Sequence, residues 1–217
     1  MANGTLAISQ LEILTQSGTG IITVVPPATN TNRTLTLPDA TGTVVSTGST
    51  AVVTPAMLTQ PFTSGTAVAS TSGTSIDFTS IPSWVKRITV MFQGVSTSGT
   101  SEYLIQIGTS GGIQNTGYSG AASYIGGTAN TINMSTGFTV RSDDSAEVSH
   151  GIATLCLLNS LTGLWVMNSV LGHSNEFYTT LSGGSKTLSG TLDRVRITTA
   201  NGTDAFDAGS VNILYEG

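Results

Sequence analysis

Between Ile76 and Val95 the chain alternates apolar and polar residues with a period of two, the pattern of a strand with one buried face. Ile76 and Phe78 flank Asp77, and the chain then turns through Ile81-Pro82-Ser83-Trp84. Beyond that corner Ile88, Val90 and Phe92 share one face, and Arg87, Thr89 and Gln93 take the other. Pro82 has no N–H to give to a sheet ladder, so it belongs in the corner, with Trp84 as its large apolar anchor. A second basic and apolar alternation runs from Leu192 to Thr198, and Val211 to Tyr215 follows it near the end. Together these segments are expected to form the central sheet.

From Phe62 onward further short strand patterns recur. They include Tyr103–Ile107, Thr136–Val140, Ile152–Leu158, Leu164–Val170 and Thr187–Ser189. Turn residues rich in Gly, Ser, Asn and Asp separate them at short intervals, as in a sandwich or barrel. Asn159-Ser160-Leu161-Thr162-Gly163 reads as a hairpin loop, and Asn201-Gly202 carries a hairpin signal of its own. No long window has helical periodicity. The reading is an all-β fold: an N-terminal extended arm of short strands over residues 1–60, then an antiparallel β-sandwich head, jelly-roll-like, over 61–217.

Within the arm, Leu11–Leu14 and Gly20–Pro26 are short apolar pieces, and Arg33–Pro38 continues into Asp39–Val45. Proline and Gly or Asx turns stop each one. Thr54-Pro55 offers an N-cap and a first-turn proline for at most two turns of helix. Strands this short bury too little to stand alone, so they call for partners from other chains or another protein.

Composition sharpens that view. Only 9% of the 217 residues are charged and mean hydropathy is +0.20, while Gly, Ser and Thr make up roughly two-fifths against far lower ordinary usage. Low charge with this hydropathy argues against disorder, and it leaves a surface that either hydroxyls or other copies of the chain must cover. The net charge of −5 and the scattered basic residues give no counterion-releasing patch, so no nucleic-acid partner is expected. The longest apolar run, around Leu155–Leu158, is far too short to span a bilayer, and no Lys or Arg precedes Arg33. A protein made in the cytoplasm without a signal peptide and without membrane insertion is expected. Cys156, the single cysteine, sits in that run and reads as a buried inert thiol.

Candidate chemistry is sparse. Gly108-Thr109-Ser110-Gly111-Gly112 matches the spacing of a nucleophile elbow, but no helix pattern follows and only His150 and His173 could act as base. Ser182–Thr187 lacks the helix a phosphate loop needs. Asp143-Asp144 with Glu147, and Asp204 with Asp207, lack a complete calcium loop and read as turn carboxylates; the histidines have no second zinc ligand nearby. No catalytic residue, metal or cofactor is assigned. The segments Gly108–Asn133 and Gly172–Lys186 read as long irregular loops that carry Tyr118, Tyr124, Phe177 and Tyr178. Aromatics among adaptable polar residues suit a receptor-binding surface, and suit packing or a subunit interface equally well.

GTGIITVVPPAT and RTLTLPDATGTVVSTG in the arm resemble segments of tail fibre and related receptor-binding virion proteins of tailed bacteriophages. FTSIPSWVKRITVMFQGVSTSGTSEYLIQIG and LDRVRITTANGTDAFDAGSVNILYEG resemble the C-terminal head of such proteins. The resemblance implies an intertwined homotrimer in the virion tail. Its arm docks on another tail or baseplate protein, and its head meets a host surface glycan or protein. It implies a non-enzymatic adhesin, a short tail fibre, and it transfers no catalytic residue. Two alternatives stand beside it: a capsid decoration or head fibre protein with a purely structural role, and a polysaccharide-degrading tailspike or esterase.

Overall fold

In the computed structural model the described residues are 11–14, 21–24, 62–126, 130–140, 145, 147–176 and 178–217. The chain divides into two units, 1–49 and 50–217. In the first, β1 (Leu11–Leu14) pairs antiparallel with β2 (Ile21–Val24), Leu11 opposite Val24 and Leu14 opposite Ile21. The strand expected from Arg33 and the helical turn expected at Thr54-Pro55 lie outside the described residues.

The second unit holds two antiparallel sheets and, among the described residues, no helix. Strands are numbered in chain order. The five-stranded sheet runs β11 (Phe138–Thr139), β7 (Tyr103–Thr109), β15 (Arg194–Thr199) and β5 (Ser75–Phe78), with β8 (Gly112–Ile113) also on β7. The nine-stranded sheet begins with β10 (Asn130–Asn133), β9 (Tyr118–Ile125), β14 (Thr179–Thr187) and β13 (Leu164–His173). It continues through β12 (Ser149–Asn159), β6 (Arg87–Thr97), β16 (Phe206–Glu216) and β3 (Thr63–Ser64), and β4 (Val68–Ala69) also pairs β16.

Alternation along each strand decides what is buried. On β6 Ile88, Val90 and Phe92 are buried, as the period of two requires, and on β12 Ala153 and Leu155 are. From the other sheet come Ile76, Phe78, Tyr103, Ile105, Ile107, Val195 and Ile197, and all of these join one hydrophobic core. Trp165, Tyr103, Phe138 and Phe206 are its largest fully buried side chains. Where the β6–β16 register shifts between Ala208 and Ser210, Gly209 has φ +87°, and a Cβ there would lie 2.3 Å from the Gly94 carbonyl oxygen. Only glycine meets both conditions.

Four expectations are corrected. The segments read as one central sheet divide between two: β6 and β16 lie in the larger, β5 and β15 in the smaller. The Pro82 corner is the crossing, for the Ile81 N–H donates to Asp193 O (2.9 Å) and the Lys86 N–H to Glu216 O (2.8 Å). Alternation tells which face of a strand is buried and is silent on which sheet holds it. Asn201-Gly202 likewise joins β15 of one sheet to β16 of the other and forms no hairpin, although Gly202 does take φ +68°. The hairpin expected at Asn159–Gly163 does link β12 to β13, with Asn159 Oδ1 accepting the Leu161 N–H at 2.9 Å. The long loops at 108–133 and 172–186 are largely strands: β8, β9, β10 and β14. Their Gly and Ser content hid them, since β propensity is depleted in such residues and tertiary pairing overrides it. Cys156, finally, is half-buried on the exposed face of β12, because the buried positions of this apolar-on-both-faces strand are the odd ones, Ala153 and Leu155.

Candidate functional site

Two of the four aromatic candidates meet at one end of the nine-stranded sheet. Tyr124 lies near the end of β9 opposite Thr180 of β14, and Tyr178 sits just before β14 begins. Their ring centroids are 5.1 Å apart with planes tilted by 41°, and both side chains are half-buried. Tyr178 also lies 4.7 Å from the imidazole of His173, the last residue of β13. Tyr118 is elsewhere: it is 5% exposed, edge-on to Phe138 at 4.9 Å, and its hydroxyl accepts the Ile107 N–H at 2.8 Å. Burial drives its hydroxyl well above its ordinary pKa, against the opposing pull of that Ile107 hydrogen bond. It therefore belongs to the core and presents nothing to a ligand outside. Phe177 lies outside the described residues.

A polar cluster with no sequence signal of its own lies under the tyrosine pair. His173 Nδ1 faces Glu147 Oε1 and lies 3.2 Å from Ser149 Oγ, while its Nε2 meets Thr180 Oγ1. Glu147 and Thr180 are fully buried and His173 is nearly so. The order carboxylate, imidazole, hydroxyl is that of a proton relay, but a nucleophile must reach its substrate, and the Thr180 hydroxyl is closed off. What this geometry does is hold the His173 ring in one orientation, so that Tyr178 rests on a fixed surface.

The turn carrying Tyr178 is tied at several points. Ser174 N–H donates to Val148 O (3.0 Å), Asn175 Oδ1 accepts the Val148 N–H (2.8 Å), and the His173 N–H donates to Tyr178 O (3.3 Å). His150 Nδ1 accepts the Gly94 N–H at 3.2 Å, so the proton of the neutral ring sits on Nε2, which meets Ser174 Oγ at 3.3 Å. The tyrosine end is thus pre-organised by both histidines.

Ser110 lies in the tight turn between β7 and β8, where its carbonyl accepts from Arg194 Nη2 at 3.2 Å, and no helix follows. Lys186, near the end of β14, is 7% exposed and paired on both sides, opposite Trp165 and Tyr118; its Nζ donates to Thr187 O (2.6 Å) and Gln114 Oε1 (3.2 Å), and desolvation lowers its pKa. Asp204 is a turn carboxylate, accepting the Ser101 N–H (3.0 Å) and Asn201 Nδ2 (2.7 Å), and Asp143-Asp144 lie outside the described residues. Among the described residues no three of His, Cys, Asp or Glu gather to hold a metal, and no helix is long and apolar enough to cross a membrane.

The exposed face of the nine-stranded sheet is the second notable surface. One cross-strand row reads Asn212, Met91, Ile152, Val170, Leu181, Ser123. Ile152, Val170 and Leu181 are 49%, 47% and 40% exposed. The row beside it, Leu214, Thr89, Thr154, Asn168, Gly183 and Ala121, also has no charge. In the next row Arg87 and Glu216 neutralise each other in an ion pair. Sequence alone could not assemble these rows, since each residue comes from a different strand. No family model matches the chain, and no curated protein or solved structure matches it.

Proposed function

We propose that the chain is a non-enzymatic adhesin of a tailed-bacteriophage virion, a short tail fibre. Three copies associate through their heads, and the tyrosine end faces the host surface. The observation that carries this reading is the part-apolar face of the nine-stranded sheet, which is free of charge over two adjoining rows. Interface cores are depleted in charge, and a face with adjacent exposed Ile, Val and Leu is costly to leave in water. Burying the exposed half of each of those side chains is worth roughly 1 kcal/mol. Six strands at ~4.8 Å spacing and the five residues that these two rows and the Arg87–Glu216 row span at ~3.3 Å rise make a patch of roughly 480 Å² before side-chain relief is counted, somewhat over half of the ~800 Å² per partner of a stable interface. In the homotrimer the two sheets form a jelly-roll-like sandwich, packed so that the nine-stranded face of each copy meets its neighbours. The 1–60 arm docks on a tail or baseplate protein.

Support for the adhesive end is the pre-organisation of Tyr124 and Tyr178, rigid amphipathic rings that lose little entropy on binding. The test is adsorption of fluorescently labelled full chain to a panel of bacterial strains. The expected result is saturable binding to a subset of strains, reduced at least tenfold by Tyr178→Ala. Binding to none, together with binding to phage capsids, would replace the fibre by a decoration protein.

A further inference from the structure

We propose that the exposed face of the five-stranded sheet carries a groove that binds a neutral saccharide. The adhesin reading supplies only the source of that ligand, a host-surface glycan; the groove itself rests on separate residues. Two adjoining concavities of about 420 and 320 Å³ share Gln106, Asn115 and Arg196, and their volumes fall in the range of small-ligand sites.

Across the floor runs the row Asp77, Arg196, Gln106, one residue from each of β5, β15 and β7. Each is the polar member of an apolar–polar–apolar triplet, so its neighbours are anchored in the core while it faces the groove. Arg196 donates to Asp77 through Nε (2.7 Å) and Nη2 (3.0 Å), a two-point contact that raises the guanidinium pKa and holds it flat. Gln106 is 8% exposed and fixed by donation from Nε2 to Thr136 O at 2.9 Å.

The chemistry of the groove selects its ligand. Arg194 is paired with Asp193 through Nη2 at 2.7 Å and Arg196 with Asp77, so the floor has no unbalanced charge to attract an anion. The larger part of the lining is polar, and its apolar residues are split between the two concavities, Ile113 in one and Leu104 and Ala200 in the other, which leaves a peptide side chain no single apolar pocket to anchor in. Arg196 Nη1 and the Asn115 side-chain amide, however, make no hydrogen bond within the described residues, and the Asp77 oxygens retain lone pairs. Planar donors and acceptors held side by side match a ligand whose adjacent hydroxyls both give and accept, which is a sugar. Because the protein has already fixed most of these groups, their ordering cost is met before binding.

Saturation-transfer NMR on the full chain tests this, with the methyl glycosides of glucose, galactose, mannose and N-acetylglucosamine as probes and glucuronic acid as the charged comparison. The expected result is transfer from at least one neutral glycoside with Kd on the order of 1 mM. Asn115→Ala, at an exposed position that leaves folding intact, weakens it about tenfold, and so does Arg196→Lys, which keeps the charge and removes the planar fork. No transfer from any of the four glycosides overturns the proposal, as does unchanged transfer in both variants or tighter binding of glucuronic acid. Transfer lost in Tyr178→Ala and kept in Asn115→Ala also overturns it, moving the sugar to the tyrosine end. Adsorption to cells without glycoside transfer would sink the groove and leave the adhesin; transfer without adsorption would do the reverse.

Discussion

Ile152 and Val170 stand directly opposite each other on β12 and β13, and both point away from the core with about half of their surface in contact with water. Met91 and Leu181 extend the pair along the same row to the strands on either side. A sheet face normally carries polar residues where its partner face carries the core. Here the same strands are apolar on both faces, which is why we propose a subunit contact on this one.

Charge introduced into that row separates assembly from folding. Ile152→Lys or Val170→Glu is expected to convert the proposed trimer to monomer, while the stability of the dissociated protein stays within about 0.5 kcal/mol of the parent's, as for other exposed substitutions. Sedimentation velocity reads the first effect and calorimetry the second. A variant that remains trimeric would move the contact off this face.

Removing the carboxylate beneath the tyrosine pair has a different signature. Glu147→Ala removes the carboxylate facing His173 Nδ1 in a fully buried setting while the Ser149 and Thr180 hydroxyls remain, a loss of about 1–3 kcal/mol by the usual cost of leaving a buried polar group short of a partner. Urea denaturation would show it. A loss under about 1 kcal/mol would mean that the imidazole is held by its hydroxyl neighbours alone.

Alkaline titration probes Tyr118. Its folded pKa lies above the ordinary 10.0, so the stabilisation it provides is complete below pH 10 and is lost as pH rises from there toward the folded value. Above pH 10 unfolding is favoured by about 1.4 kcal/mol per pH unit for this one proton, and Tyr118→Phe removes that slope. The same variant costs about 1–3 kcal/mol at neutral pH, because the buried Ile107 N–H loses its acceptor. A pH dependence identical in the two proteins would contradict this assignment.

Much of the all-β character was legible because Ile88, Val90 and Phe92, or Val195 and Ile197, alternate cleanly with polar residues. β9 and β14 were not, since Ser119-Gly120-Ala121-Ala122-Ser123 and Ser182-Gly183-Gly184-Ser185 have small residues on both faces and no period to read. Their strand state comes from pairing with each other, Gly183 opposite Ala121 and Gly184 opposite Gly120. The site was legible in the same measure. Tyr124 and Tyr178 could be named as aromatics in polar surroundings, but their contact depends on that hidden pairing. Asp77, Arg196 and Gln106 each stand between two apolar strand residues, a signal that each faces outward. That the three form one row follows only from the order β5, β15, β7. Glu147 and His173 carried no local pattern, because the turn after β13 and the residues before β12 bring them together from separate stretches.

Tyr124→Ala and Tyr178→Ala should each lower cell adsorption, and the double variant should lose little more than the worse single one, because the rings meet at 5.1 Å and act as a unit. Flow cytometry with labelled protein would measure this. Fully additive losses would assign the rings to two independent contacts.

The most direct test of subunit association through the heads is the native mass of the full chain by light scattering, with Val170→Glu beside it. The expected result is three chains per particle for the parent, each of 22.1 kDa, and a single chain for the variant. A parent that is monomeric at all concentrations would contradict it, since the uncharged row of Met91, Ile152, Val170 and Leu181 would then face only water.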